Sequence, residues 1–367
     1  MLTPVGGPRL TVWPPLPPAV YVRRPADQLP FPLDRDDSRI VAWGRHAVWH
    51  GVRALGLRPG GELLMPAYHH GSEVQAVLES GLVPRFYDSD DRLQPRQDEL
   101  DALITPRTKA LHLTHYLGFP QDAGRWRRWC DERGLLMIED AAQAWLARIG
   151  PDPVGSFGDL SFFCLYKTFG LPEGAAVLCA PPLERRRYDP RLGTGELIRK
   201  HAHWLAGRSA VFSRVVTAVR RSRPVDSATE FNLRDPTSMP WRSTMFLLRR
   251  IVDPEAAERR RLNYRDLLGR VGARVPPPFD RVTDGASPFA FPVEVPDKEA
   301  VVQRLSEANV KAVDLWSYPH PALPDTGFPE AEGRRASTLA LPVHQELRTQ
   351  DLARMAAELD RALGSPG

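Results

Sequence analysis

From about residue 38 the apolar positions of the chain alternate between helical and extended spacing. In RHAVWHGVRALG (45–56), Ala47, Trp49 or His50, and Ala54 recur on a helical period that Gly56 ends. ELLMP (62–66) is a short apolar run stopped by Pro66 and reads as a buried strand. The alternation continues with a helix over 72–80, strands at VPRFYD (83–88) and KALHLT (109–114), and a helix over 122–133. LLMIED (135–140) is a strand ending in acid, and DLSFFCLY (159–166) and AAVLCA (175–180) complete the set. Strands alternating with helices at this spacing predict a doubly wound, mostly parallel α/β sheet. Ligands of such sheets gather beyond the carboxyl ends of the strands, and Asp140 and Lys167 both fall just past a strand end.

The flanks follow other patterns. The first 37 residues are rich in proline, as in WPPLPPAVYVRRP (13–25). Proline fixes φ and lacks an amide donor, so an extended arm is expected there and not a helix or inner strand. A disordered tail is the other reading; the interleaved Trp13, Val20, Tyr21 and Val22 favour an arm packed on a surface. Residues 184–235 break the rhythm as a basic insertion, with ERRRYDPR (184–191), an apolar helix-like piece AVFSRVVTAV (210–219) and RRSRP (220–224). This region reads as a lid or anion-attracting surface, or as an ordinary connector with its arginines in solvent. The large domain is expected over 38–245. Helical patterns at 253–269, 297–308 and 349–363, with strands at PFAFPVEV (288–295) and 310–315, predict a smaller C-terminal α/β domain over 246–367.

Composition narrows the function classes. The 367 residues are 42% hydrophobic, enough for two cores. A net charge of +4 and a pI near 9.1 suit anionic small molecules or nucleic acid, with an ordinary solvated face the favoured reading, and no nucleic-acid-binding signature is present. Cys130, Cys164 and Cys179 form neither a CxxC nor a metal-type pattern, which favours a reducing, cytosolic setting. No signal peptide and no apolar run of bilayer length is visible, so a soluble cytoplasmic protein with no membrane association is expected.

An isolated acid at a strand end is usually a helix N-cap, and a lysine there is usually a solvated terminus. Together, separated by the GSFGD turn at 155–159, Asp140 and Lys167 meet two needs of pyridoxal 5'-phosphate (PLP) chemistry. A lysine amine must reach the cofactor aldehyde, and a carboxylate must sit by the pyridine nitrogen to favour the protonated, electron-withdrawing ring. The third need is a phosphate site of helix N-terminal amides and hydroxyls.

Four segments carry a resemblance: RALGLRPGGELLMPAYHH (53–70), LITPRTKALHLTHYLGFPQD (103–122), LLMIEDAAQAW (135–145) and VGSFGDLSFFCLYKTFGLPEGAAV (154–177). Through them the chain resembles the DegT/StrS-type sugar aminotransferases, a fold-type-I PLP family, from about residue 38 onward. FPVEV (291–295) and LALPVH (339–344) look like small-domain strands of that family. The resemblance implies that Lys167 is the Schiff-base lysine and later the proton shuttle, that Asp140 pairs with the pyridinium nitrogen, and that Gln143 lies near the ring hydroxyl. His70 falls where the family places an aromatic residue stacked on the ring. Arg45 and His46 replace the small pair usually found after Gly44, so helix amides, with Arg45 as a possible cation, would meet the phosphate. The family's phosphate serine has no direct counterpart: Cys164 stands three residues before Lys167 and Ser161 six before, and a thiol is a weak donor. Arg242, in MPWRST, lies near the segment through which the family's partner subunit completes the site.

The resemblance further implies an amino-acid donor, glutamate or glutamine, a keto-sugar acceptor that is nucleotide-linked or a keto-cyclitol, and a two-fold homodimer. Two other readings stand beside the transaminase. Sugar dehydration on the same scaffold replaces the Schiff-base lysine, and Lys167 counts against it. A non-catalytic or regulatory scaffold draws support from the altered cradle at Gly44–Ala47 and Cys164.

Overall fold

A computed structural model of the chain describes residues 7–213 and 231–364. The elements run β1 (Leu10–Thr11), a 3-10 turn (Pro18–Val22), β2 (Arg39–Val41), α1 (Gly44–Ala54), β3 (Glu62–Pro66), α2 (Ser72–Glu79), β4 (Val83–Tyr87), α3 (Gln97–Leu103), β5 (Thr108–Thr114) and α4 (Ala123–Arg133). They continue through β6 (Leu136–Asp140), a small hairpin of β7 (Arg148–Ile149) and β8 (Asp152–Pro153), β9 (Leu160–Cys164), α5 (Leu165–Thr168), β10 (Ala175–Cys179) and α6 (Thr194–Ala206). The local rules are visible in α4, where Asp122 accepts from the Arg125 amide at one end and Gly134, in the left-handed region, closes the other.

Seven strands form the main sheet in the order β2-β10-β9-β6-β5-β3-β4. β4, β3, β5, β6 and β9 are mutually parallel, and β10 runs antiparallel between β9 and β2. The expected alternation is therefore present, with one addition: RIV at 39–41 supplies an edge strand too short for periodicity to mark. The strand expected over 159–166 stops at Cys164, and the chain turns at once into α5, which carries Lys167.

The C-terminal part contains α7 (Arg242–Ile251), α8 (Ala256–Val271), β11 (Ala290–Glu294), α9 (Lys298–Glu307), β12 (Val310–Lys311), β13 (Val313–Asp314), α10 (Pro329–Ser337), β14 (Thr338–Pro342) and α11 (Thr349–Ala362). β11, β14 and β13 make an antiparallel sheet. The single strand expected over 310–315 is split, with β12 pairing instead with β1. The boundary expected at 245/246 runs through α7, whose Leu247, Leu248 and Ile251 are buried with Trp145, Phe163 and Phe169 of the large sheet.

The N-terminal arm is packed, as the interleaved apolar residues suggested, but of those four only Val20 is buried. Leu10, Val12, Leu16 and Val20 are buried, whereas Trp13, Tyr21 and Val22 are exposed. It is also not wholly extended: Pro18 starts a 3-10 turn, where its fixed φ fits and its missing amide costs nothing. In the basic insertion, 194–206 is helical and 210–213 begins a second helical piece. The rest of AVFSRVVTAV and RRSRP lie outside the described residues. No helix among the described residues is long and apolar enough to cross a membrane.

Candidate active site

The parallel strands deliver their carboxyl ends to one edge of the sheet, and a cavity of about 280 Å³ opens there. Its floor holds Thr114 at the end of β5, Asp140 at the end of β6, and Phe162 and Cys164 of β9. Its walls include Lys167, Gln143, His70 and Glu73, with Gly44 and Arg45 at the start of α1.

Asp140 is buried and doubly held. Its Oδ1 accepts from the Ala142 amide at 2.9 Å, and its Oδ2 lies 3.4 Å from His112 Nε2. Burial alone would raise this carboxyl, but the His112 hydrogen bond and charge, the Ala142 amide and Lys167 together outweigh it. The net displacement is downward, so the site keeps an ionised carboxylate. His112 is fully buried on β5, one strand over, and sequence reasoning missed it because KALHLT offered only a strand. Its spacing of 28 residues from Asp140 carries no local signal.

Lys167 is half-buried in the same cavity, and its Nζ lies 5.8 Å from the centroid of the Phe289 ring. His70 lies against the cavity with its pKa pushed down to about 3, first by burial and then by the charges of Lys167 and Arg45, so the imidazole is neutral. Its Nδ1 is 3.2 Å from Ser72 Oγ, and its amide donates to Glu73 Oε1. Gly71, between His70 and α2, adopts φ +108° with the Phe231 ring where a Cβ would sit, so no other residue fits this turn without a clash. Gln143 lines the cavity while its Oε1 accepts from the Leu117 amide at 2.9 Å.

Glu73 was not anticipated. It sits in the first turn of α2, lines the cavity, and its carboxyl is raised by burial and by the neighbouring Asp140 charge. A helical residue beside a loop histidine gives no sequence cue of this kind.

α1 begins without a side-chain cap and without an acid in its first turn, and its first two residues border the cavity. The positive end of a helix is thereby left facing the site, where an anion is favoured. Arg45 lines the cavity, its Nη1 donating to the Asn232 carbonyl at 2.5 Å. His46 departs from expectation. Its ring is buried outside the cavity lining, with Nε2 3.0 Å from the Leu233 carbonyl and its pKa pushed down to about 4 by burial. Arg45 lines the cavity and His46 does not.

The strand alternation decides between the two phosphate candidates on β9. Phe162 and Cys164 face the cavity, whereas Ser161 points the other way, with its Oγ beside Gly158. Gly44 packs so tightly on Cys164 that a Cβ there would lie 2.5 Å from Sγ. Arg242 does not reach this cavity in its own chain. It is exposed at the first residue of α7, where its amide donates to the Asp189 carbonyl.

The outer wall comes from segments far away in sequence. Trp13 of the arm packs edge-on to Phe289 at 6.2 Å, and Asp314, Trp316, Ser317 and Tyr318 close the small-domain side. Trp316 takes a positive φ of 58° while its ring packs 4.7 Å from Tyr68. A carboxylate, an amine, a neutral imidazole, a guanidinium and an uncapped helix end thus converge on one cavity. That donor set fits PLP: an acid for a ring nitrogen, an amine for an aldehyde, and a positive end for a phosphate.

Comparison with known proteins agrees with this geometry. Residues 40–194 match the model of the DegT/DnrJ/EryC1/StrS aminotransferase family. The chain is 28% identical over 348 residues to a dTDP-4-dehydro-2,3,6-trideoxy-D-glucose 4-aminotransferase of Saccharopolyspora spinosa, covering 90% of this chain and 86% of the relative. It is 27% identical over 334 residues to a UDP-N-acetyl-3-dehydro-alpha-D-glucosamine 3-aminotransferase of Acidithiobacillus ferrooxidans, covering 88% and 83%. Among solved structures, the aminotransferase TlmJ from Streptoalloteichus hindustanus superposes with a TM-score of 0.66 at 21% identity, covering 97% of this chain and 99% of that one.

Proposed function

We propose that this chain, whose residues 40–194 match the DegT/DnrJ/EryC1/StrS aminotransferase family, moves an amino group from glutamate or glutamine to a nucleotide-linked keto sugar, with PLP as cofactor and Lys167 and Asp140 as its catalytic residues. The observation that carries this reading is the meeting of Lys167 with a buried, ionised Asp140 in one cavity at the carboxyl edge of the sheet. Both full-length relatives described above are named for nucleotide-linked keto sugars, which supports that acceptor class; a keto-cyclitol is the alternative.

When bound, PLP supplies an aldehyde that exchanges amino groups and a protonated ring that withdraws electrons. The chain's own residues do the rest. Asp140, kept ionised by His112, holds negative charge where the ring nitrogen must stay protonated. Lys167 would hold the cofactor through its amine, and Nζ would take and return the proton as general base and acid. His70 offers a neutral face to the ring, and Gln143 orients it. The uncapped start of α1, Arg45 and Cys164 would hold the phosphate. Trp13, Trp316 and Tyr318 limit water entry from the outer side.

We further assign the protein to a two-fold homodimer in which Arg242 serves the partner's site; its exposure at the start of α7 supports this. The three buried, unpaired cysteines support a reducing cytoplasm as its compartment. The test is a half reaction. Purified protein loaded with PLP and given glutamate or glutamine without acceptor should lose its yellow absorbance as the pyridoxamine form accumulates. Bound PLP that no amino donor converts would overturn the reading.

A further inference from the structure

Arg260 is the fully buried cation of α8, 1% exposed. Its guanidinium sits at the junction of the large sheet and the small domain. Nε donates to Gln345 Oε1 at 2.8 Å, Nη1 to the Pro288 carbonyl at 2.9 Å, and Nη2 to the Thr168 carbonyl at 2.6 Å and the Lys167 carbonyl at 3.4 Å. Gln345 completes the arrangement by donating Nε2 to the same Thr168 carbonyl at 3.0 Å. A buried charge is retained only where its donors are met, and here neutral oxygens meet them, with Glu346 the acid acting on it from a distance.

These partners flank the reactive amine on both sides. The Lys167 and Thr168 carbonyls fix the main chain that carries Nζ. The Pro288 carbonyl fixes the residue before Phe289, whose ring lies 5.8 Å from that Nζ and also packs against Trp13. One rigid fork therefore sets the distance between the lysine and the small-domain wall it faces. We propose that Arg260 is the positioning residue for Lys167: it touches neither cofactor nor substrate, and it fixes where the amine stands by clamping the Lys167–Thr168 and Pro288 carbonyls together. The inference rests on Lys167 being the cofactor-binding lysine.

The geometry requires a planar fork. A lysine at 260 would keep the charge but offers donors at one point, so it cannot reach Gln345, Pro288 and Thr168 together. The test compares Arg260→Lys, Gln345→Glu and Arg265→Gln, the last an exposed control on the same helix. Gln345→Glu keeps the acceptor for Arg260 but removes the donor to Thr168, and it carries the test if Arg260→Lys does not fold. Each apoprotein is titrated with PLP, whose visible absorbance reports the bond to Lys167. Each is also titrated with 4'-deoxypyridoxine 5'-phosphate, which has the ring and phosphate but no aldehyde.

A misplaced amine should weaken PLP binding about tenfold or more in Arg260→Lys, and less in Gln345→Glu, because small misplacements of a reacting group are expensive. Affinity for the deoxy analogue should stay within about twofold in every protein, since the ring and phosphate contacts are untouched. Parallel loss of both ligands would mean a general structural role and would overturn the proposal, as would unchanged PLP affinity. If the unaltered protein itself bound neither ligand, the cofactor assignment and not the role of Arg260 would be the part that failed.

Discussion

The tight contact between Gly44 and Cys164 yields a quantitative prediction. Adding a methyl group in Gly44→Ala places a Cβ 2.5 Å from Sγ of the buried Cys164 side chain. Apolar heavy atoms rest about 3.5–4.0 Å apart, so the start of α1 and the end of β9 must separate by roughly 1 Å. Overpacking of this kind costs about 1–3 kcal/mol. Alanine is otherwise the better helix residue, by about 1 kcal/mol over glycine in a helix interior, so a gain in stability would be expected if the space were open. The two terms have opposite sign, and the 2.5 Å contact decides for destabilisation. Urea unfolding of the apoprotein should therefore show a loss of roughly 1–2 kcal/mol. Removing the sulfur in Gly44→Ala/Cys164→Ala should restore most of that loss, giving a coupling of about 1 kcal/mol or more in the double-mutant cycle. PLP affinity should follow the same cycle, because the separated elements carry the phosphate end and the lysine end of the cavity. An additive cycle, or a Gly44→Ala protein as stable as its parent, would refute the argument that this close approach builds the cradle.

Three further outcomes are expected. Lys167→Ala should abolish the lysine-dependent PLP absorbance and turnover while its melting temperature stays near that of the parent apoprotein; measurable turnover would contradict the role given to Nζ. Cys164→Ser should tighten PLP binding by about 0.5–1.5 kcal/mol, roughly two- to tenfold, since a hydroxyl donates better than a thiol, and equal affinities by titration would show that position 164 does not serve the phosphate. His112→Phe should move the acid limb of kcat/KM to higher pH: Asp140 is depressed in the folded protein, its stabilising charge is present above the unfolded carboxyl range and lost as pH falls through the depressed folded value, and without His112 that loss begins earlier. A pH profile identical to that of the parent would count against His112 as the group that keeps Asp140 ionised.

The sheet was legible because its strands are short apolar runs with clear stops. ELLMP ends at Pro66 and LLMIED ends on its acid, and parallel order follows once helices intervene. The misjudged pieces share a physical cause, namely pairing with a partner remote in sequence. RIV at 39–41 becomes a strand because β10 lies beside it, and Leu10–Thr11 does so because Val310–Lys311 does. Neither carries a period of its own. The basic insertion could not be resolved into elements for a similar reason: it is rich in arginine, and what orders α6 is contact with the arm, through His201 to the Leu16 carbonyl and to Tyr21.

The site divides along the same line. Lys167 and Asp140 could be picked out because strand ends place them, and strand ends are local features. The residues that tune them could not. His112 acts on Asp140 from the adjacent strand, Glu73 reaches in from the first turn of a helix, and the Trp13–Phe289 contact joins the arm to the small domain. His46 shows the converse, since adjacency to Arg45 suggested a shared place in the cavity, whereas its ring turns to the Leu233 carbonyl. Reactive groups can be read from position along one strand, but their basicity and placement are properties of the packed junction. Mutations at Arg260 or His112 should therefore change how Lys167 and Asp140 behave without touching the cavity's first contacts.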